Sequence, residues 1–342
     1  MSDSKRVLIV DMLNLFYRSY VVDPSLSSSG KPIGGLKGTV KSLQKLSREV
    51  SPDEIVLCWD GQGGSSKRKR MDKQYKEGRK PIRLNRFVNV LTEDEELQNK
   101  VWQSTRLIEY LNTMPMIQFK FQGTEADDVI AYLVRHPFYS GWEKVIASND
   151  KDFYQLCDNE TLVYRTLNRK DKEGRKLPNE IISSKTLLTE HSIHANNFAM
   201  ARAMSGDVSD NLNGVGGIGL KTAAKRFPML SEEKRCSVGD VIAYSRQKLT
   251  EKKPPKAYQN IIDNQKILER NYKMMQLYVP SMGLESKKIV DITLDEVEFY
   301  FNKTDLIKMM IMDGFGELNL MELFTTFNKI VVDQKSIRKQ ED

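Results

Sequence analysis

Three short apolar runs, at residues 7–10, 55–59 and 145–147, each lead into an aspartate: Asp11, Asp60 and Asp150. Unbroken apolar runs of this length read as buried strands of a parallel sheet, each delivering a carboxylate to one edge. The pattern predicts strands over 6–11, 55–59, 116–121, 144–148 and 161–165, with helical periodicity over 38–49, 94–112 and 125–135. This βαβ rhythm gives an α/β fold with a mostly parallel central sheet and helices on both faces. From about residue 183 the periodicity is helical, and it returns at 258–276 and 304–326. Lys252-Lys253-Pro254-Pro255-Lys256 reads as a break, and 168–176 as a polar turn between two short strands. The expected organisation is an α/β part over 1–182, a helical part over 183–330 and a charged tail over 331–342, frayed from Asp333. Within the first part, residues 61–112 form a long insertion at the sheet edge where the aspartates emerge. It opens on Gly61-Gln62-Gly63-Gly64, a flexible loop, and long insertions in such places are usually functional.

That edge, at the carboxyl ends of the strands, is where open α/β sheets bind ligands. Asp11, Asp60 and Asp150 are joined there by Asp152, by Glu125, Asp127 and Asp128 at a helix start, and by Asp207 and Asp210 further on. Taken singly, several of these read as helix caps: Thr124 as an N-cap with acids in the first turn, and Asp150 at a strand-to-helix junction. Taken together, nine carboxylates in one cleft would raise each other's pKa. Hard divalent cations, which take oxygen ligands, are the natural compensation, so the pattern points to a multi-carboxylate magnesium site.

Composition narrows the reading. The 342 residues carry a formal net charge of +7, and Lys67-Arg68-Lys69-Arg70 with Lys73, Lys76, Arg79, Lys80, Arg83 and Arg86 concentrates positive charge in the insertion. One basic run alone is as often solvated surface; beside an acidic pocket it suits a phosphodiester substrate. Three dispersed cysteines form no Cys-x-x-Cys pair, which disfavours structural zinc and suits a reducing interior. No stretch approaches the roughly 18 apolar residues of a membrane helix, and no signal peptide is expected.

The most specific segment is Gly206-Asp207-Val208-Ser209-Asp210 followed by Gly214-Val215-Gly216-Gly217-Ile218-Gly219-Leu220-Lys221-Thr222. Leu220 between Gly219 and Lys221, and the helical stretch ahead of it, exclude a phosphate-binding P-loop. A helix–hairpin–helix over 203–228 fits better. Gly214, Gly216, Gly217 and Gly219 let a phosphate approach the backbone, while Lys221, Thr222 and Lys225 add charge and hydrogen bonds without reading sequence.

These pieces, in this order, resemble the 5′ nuclease (flap endonuclease) superfamily, in the branch of phage enzymes and bacterial polymerase I 5′-nuclease domains. The resemblance rests on Val10-Asp11, Trp59-Asp60, Tyr75-Lys76-Glu77-Gly78-Arg79, Gly123-Thr124-Glu125-Ala126-Asp127-Asp128, Asp150-Lys151-Asp152, Gly206-Asp207-Val208-Ser209-Asp210 and the hairpin glycines, over about 6–228. It implies a PIN-like nuclease core. It also implies two Mg²⁺, replaceable by Mn²⁺, held by Asp11, Asp60, Glu125, Asp127, Asp128, Asp150, Asp152, Asp207 and Asp210. Lys76 and Arg79 would draw the scissile phosphate in, with Asp152 essential to turnover and Tyr75 stacking on a base. Arg68 and Arg70 would contact nucleic acid in an arch around a single-stranded 5′ end, and a K⁺ would bind the hairpin carbonyls. The expected activity is structure-specific 5′ nuclease action (5′-3′ exonuclease or flap endonuclease, including primer removal) in replication or repair. Its partners would be branched or nicked duplex DNA and RNA–DNA with a 5′ single-stranded end, and a single-strand-binding protein or clamp. A monomer in the cytoplasm of a bacterial or phage-infected cell is expected, with no membrane contact. Two rival readings are a non-catalytic nucleic-acid-binding protein with a relict cleft and a single-strand ribonuclease of a related fold.

Overall fold

The computed structural model describes residues 5–78, 82–85, 87–88, 90–166, 173–175 and 178–338, with side chains to 334. The chain begins with strand β1 (Arg6–Asp11) and continues through helices α1 (Met12–Val22) and α2 (Gly34–Val50), strand β2 (Glu54–Trp59), and helices α3 (Ser66–Met71) and α4 (Glu93–Leu111). Strand β3 (Ile117–Lys120), helix α5 (Ala126–Leu133) and strands β4 (Glu143–Ala147), β5 (Thr161–Arg165) and β6 (Glu180–Ile182) complete the sheet. Its order is β3-β2-β1-β4-β5-β6. All neighbours pair in parallel except β5 with β6.

The two faces of the sheet collect different helices. Val7 and Ile9 of the central strand point to one side and Leu8 and Val10 to the other, as the two-residue pleat requires. On the Leu8 side pack α1, α2 and α4. On the Val7 side packs α5, followed by the helical part: α6 (Ser184–His191), α7 (Ala195–Ser205), α8 (Leu220–Arg226), α9 (Val238–Leu249), α10 (Lys256–Asp263), α11 (Gln265–Met275) and α12 (Leu284–Glu296). Between α7 and α8 a small hairpin pairs β7 (Gly206–Asp207) with β8 (Leu212–Asn213). The last helices, α13 (Lys303–Met312) and α14 (Leu320–Arg338), return to the Leu8 side. There Leu323, Phe327 and Ile330 are buried, each contributing about 1.5–3 kcal/mol by the usual transfer scale. No helix among the described residues is long and apolar enough to cross a membrane.

Several expectations need correction. Helix α1 was not expected, because strand-like residues 6–11 run straight into it. Helix α2 starts four residues earlier than expected, at Gly34. Glycines at 34, 35 and 38 look like breakers but are contact points: a Cβ at Gly34 would lie 1.9 Å from the Asp23 carbonyl oxygen, and one at Gly35 2.7 Å from the Phe16 ring. The pattern at 258–276 is two helices meeting at Asn264, and that at 304–326 is split by residues 313–319, where Gly314 and Gly316 take positive φ. The tail is not frayed from 333: α14 continues to Arg338, and buried Gln334 donates to the Asp53 carbonyl at 2.9 Å. Most of the turn expected over 168–176 lies outside the described residues.

Candidate active site

The carboxyl ends of β1, β2 and β4 bring the aspartates together as the sequence predicts. Seven of the nine acids line one cavity of about 220 Å³: Asp11, Asp60, Glu125, Asp127, Asp150, Asp152 and Asp210. Asp11 closes β1; one carboxylate oxygen accepts from the Asn14 backbone N–H at 3.2 Å and the other from the Ser148 hydroxyl at 3.0 Å. Burial, and then the neighbouring Asp60 and Asp150 charges, push its pKa up to about 7. Asp60 follows β2 and accepts from the Ala126 N–H at 2.7 Å, at the start of α5. Thr124 is therefore not the cap of that helix; Glu125 holds the N-cap position. Burial raises Asp60 as well, with Asp127 adding to it. Beyond β4, Asp150 accepts from the Asp152 N–H at 2.9 Å. Burial and then Asp150 push Asp152 up to about 7, against the opposing pull of the Arg202 guanidinium.

Two acids lie behind the cavity wall. Asp128 turns away, accepting from the Ser281 backbone N–H at 2.6 Å and lining a neighbouring cavity. Asp207 pairs with Arg202, whose Nε also contacts Asp152 at 3.1 Å. Burial pushes the Asp207 carboxyl up, but the Ser209 hydroxyl and Arg202 outweigh it and leave it below its ordinary value. Arg202 is thus a bridge between two elements of the site. Sequence reasoning missed it because an arginine on α7 carries no motif spacing.

The insertion contributes cations to the same place. Arg68, expected on nucleic acid, is instead buried: it pairs with Glu125, lies 3.0 Å from Asp127 and 3.6 Å from Asp128, and donates to the Met274 carbonyl at 3.0 Å. Its basic neighbour Arg70 stays exposed. The Lys76 ammonium lies 2.6 Å from Glu125 and 4.9 Å from the Tyr75 ring centroid. Lys76 holds a left-handed φ of 57°, and its N–H donates to the Asp210 carbonyl at 2.9 Å. Such backbone conformations cluster at functional sites because the surroundings must enforce them. The Tyr75 ring is not laid open for stacking: only 4% exposed, it packs against the core while lining the cavity. Arg79 lies outside the described residues.

Beyond the β7–β8 hairpin, which carries Asp207 and Asp210, the glycine segment 214–219 links it to α8 where the sequence places the hairpin of a helix–hairpin–helix. Val215, Ile218 and Ala223 bury its inner side. Gly214 sits against Ser205, where a Cβ would come within 2.3 Å of the backbone. Gly216 and Gly219 face open space, Gly217 takes φ +75°, and Lys221 and Lys225 are exposed one turn apart, with Thr222 half-buried beside them.

Among the described residues that line the cavity the acidic groups offer oxygen donors, and none is a cysteine or histidine. Oxygen atoms of Glu125, Asp127 and Asp128 can also come within 4.8 Å of one another. Raised carboxyl pKa values in a confined oxygen-lined space are what a hard divalent cation would relieve, so these residues fit a divalent metal.

Comparison with known proteins places this geometry. Residues 6–188 match the family described as the 5′-3′ exonuclease, N-terminal resolvase-like domain. The 5′-3′ exonuclease of Aquifex aeolicus is 26% identical over 329 residues, covering 95% of this chain and 96% of that protein. DNA polymerase I of Caldicellulosiruptor bescii is 29% identical over 221 residues, 64% of this chain but 24% of the polymerase. The chain thus spans about a quarter of the polymerases it matches. The crystal structure of the phage T5 D15 protein co-crystallised with metal ions superposes with a TM-score of 0.59 at 21% identity, covering 89% of this chain and 99% of that one. The chain belongs to the 5′-3′ exonuclease family.

Proposed function

We propose that this member of the 5′-3′ exonuclease family is a Mg²⁺-dependent, structure-specific 5′ nuclease. It hydrolyses phosphodiesters near the junction of single- and double-stranded nucleic acid and leaves a 5′-phosphate. The observation that carries the reading is the convergence of seven carboxylates and Lys76 on one cavity at the carboxyl edge of the sheet. The fold likeness to the T5 D15 protein and the relationship to a 5′-3′ exonuclease support it.

Asp11, Asp60, Asp127, Asp150, Asp152 and Asp210 would hold the metals, with Glu125, Asp128 and Asp207 shaping the surrounding field. Bound magnesium, replaceable by manganese, would supply Lewis-acid activation of water and stabilise charge on the phosphate. Without a histidine in the cavity, no imidazole serves as base. The chain's own task is to orient. Ser148 and Asn14 fix Asp11, and Arg202 fixes Asp152 against Asp207. Lys76, held by Glu125 and a constrained backbone, presents a cation to the incoming phosphodiester, with Arg79 assigned to the same task. Residues 1–182 form the catalytic part with its insertion around the 5′ strand. Residues 183–330 grip the duplex through the helix–hairpin–helix, where a K⁺ would sit on the hairpin carbonyls.

Substrates are 5′ flaps, nicked ends and RNA–DNA ends in replication or repair, in the cytoplasm of a bacterial or phage-infected cell. Product mapping on an end-labelled 5′-flap duplex tests this. Mg²⁺-dependent cleavage near the junction is expected, abolished by chelation. Binding without cleavage at any divalent concentration would favour a non-catalytic protein, and equal cutting of the free strand a single-strand ribonuclease.

A further inference from the structure

A second cavity, of about 270 Å³, opens between α1 and α2 on the far side of α1 from the acids. Its shape follows from small residues: a Cβ on Gly38 would meet Ser19 at 2.9 Å, so the helices touch there, and beyond this contact Ser42 leaves room. Arg18, Lys41 and Lys45 line it together with Asp23 and Glu49.

The two carboxylates are held to different degrees. Asp23 accepts from the Ser25 N–H at 2.8 Å. Glu49 accepts from the Tyr164 hydroxyl and from the Asn179 amide at 3.2 Å, and lies 3.5 Å from Lys45. The Arg18 and Lys41 side chains make no ion pair or hydrogen bond among the described residues. Arg18 is half-buried, and burial pushes its titration down with no acid pulling it back. A half-buried guanidinium is costly without an anion. The cavity therefore has two cations without an ion-pair partner, while Glu49 is taken up by Lys45, Tyr164 and Asn179 and Asp23 is held by one backbone N–H.

Its position relative to the acids is set by the fold. Arg18 lies seven residues along α1 from Asp11, about 10 Å at 1.5 Å per residue. Thr166, which also lines the cavity, follows the last residue of β5, two strands from β1. Two strand spacings are about 10 Å across the sheet, so the cavity is set off from the acids in two directions.

We infer that the cavity between α1 and α2 is a phosphodiester subsite, in which Arg18 and Lys41 hold one backbone phosphate of the nucleic acid away from the bond that is cut. The inference rests on the nuclease reading above. It makes Arg18 and Lys41 substrate-positioning residues that touch neither the reacting phosphate nor a metal.

The test is equilibrium binding of a 5′-flap duplex, with Ca²⁺ in place of Mg²⁺, across a salt series. Wild type is compared with the Arg18→Ala/Lys41→Ala double variant, and Arg18→Lys serves as a charge-preserving control of fold and function. Loss of one phosphate contact makes the slope of log affinity against log salt shallower by about 0.9. The wild-type advantage then shrinks about threefold between about 50 and 200 mM salt. Arg18→Lys should retain the wild-type slope. An unchanged slope in a double variant that melts like wild type overturns the inference. Replacing single phosphodiesters by neutral methylphosphonate should cost wild type affinity at one internal position and cost the double variant nothing there. Sensitivity only to removal of a terminal phosphate would also overturn it, by making the anion a chain end. Wild-type cleavage of the same duplex with Mg²⁺ reports separately on the nuclease reading, so the two fail distinguishably.

Discussion

Where the strands of the sheet begin, buried charges are answered by partners. Glu54, fully buried at the start of β2, accepts from the Tyr139 hydroxyl and, at 3.2 Å, from Gln334. Lys144 pairs with Glu160 and donates to the Tyr139 carbonyl at 3.1 Å, and Arg6 pairs with Glu143. Where the same strands finish, like charges crowd one another: Asp11 is raised by Asp60 and Asp150, and Asp152 by Asp150, on top of burial. Both ends hold ionisable groups out of water. The first arrangement serves the fold, because each of these charged groups has a partner within it. The second is left short of positive charge, and the incoming metal and phosphate complete it.

Substitutions at the two ends should therefore separate activity from stability. The largest effect is expected from Asp152→Asn: a turnover loss of about 100-fold or more, with affinity for flap duplex retained. Single-turnover cleavage and fluorescence anisotropy measure the two, and near-normal turnover at saturating Mg²⁺ would break the contrast. At the other end, Glu54→Gln should lower unfolding free energy by about 1–3 kcal/mol, read by urea denaturation. Activity per folded molecule should hold.

A third prediction concerns pH. Asp11 and Asp152 stand at about 7 in the folded protein against an ordinary 3.8. The fold therefore favours their protonated forms. Their contribution to stability is full below about 3.8 and is lost as pH rises through about 7. Chelator-treated protein should melt lower at pH 8 than at pH 5, and added divalent ion should raise the melting temperature most at the higher pH. A melting temperature that climbs steadily from pH 5 to 8 in chelator would contradict the crowding at this end. The smallest effect is expected on the helix–hairpin–helix: Lys221→Ala should flatten the salt dependence of duplex binding by about 0.9, and an identical slope would remove that contact.

Much of the crowded end was legible in the sequence, for a physical reason. A buried parallel strand needs a continuous apolar run, and an aspartate at its end breaks that run visibly; Asp11, Asp60 and Asp150 stand out on this ground alone. Helix α4 likewise announced itself by periodicity and by acids in its first turn, and Thr92 with Glu95 closes it as a capping box. Contacts made only by tertiary packing left no such mark. Arg68 reads as one cation in a basic run, yet it is the residue that turns inward onto Glu125 and Asp127. Arg202 has no spacing to distinguish it. The helical pattern starts late, at 38, because the use of the glycines at the start of α2, close approach to α1 and the segment after it, depends on packing with residues elsewhere in the chain. Pairing at the other end was equally silent, since Glu54 and Gln334 are 280 positions apart.

Occupancy of the crowded end by metal tests the account most directly. An anomalous-difference map from crystals grown with Mn²⁺ should show peaks inside the cavity bounded by Asp11, Asp60, Asp127 and Asp152, and these should vanish in Asp152→Asn or weaken strongly. A map with no peak there, at manganese concentrations that support cleavage, would contradict it.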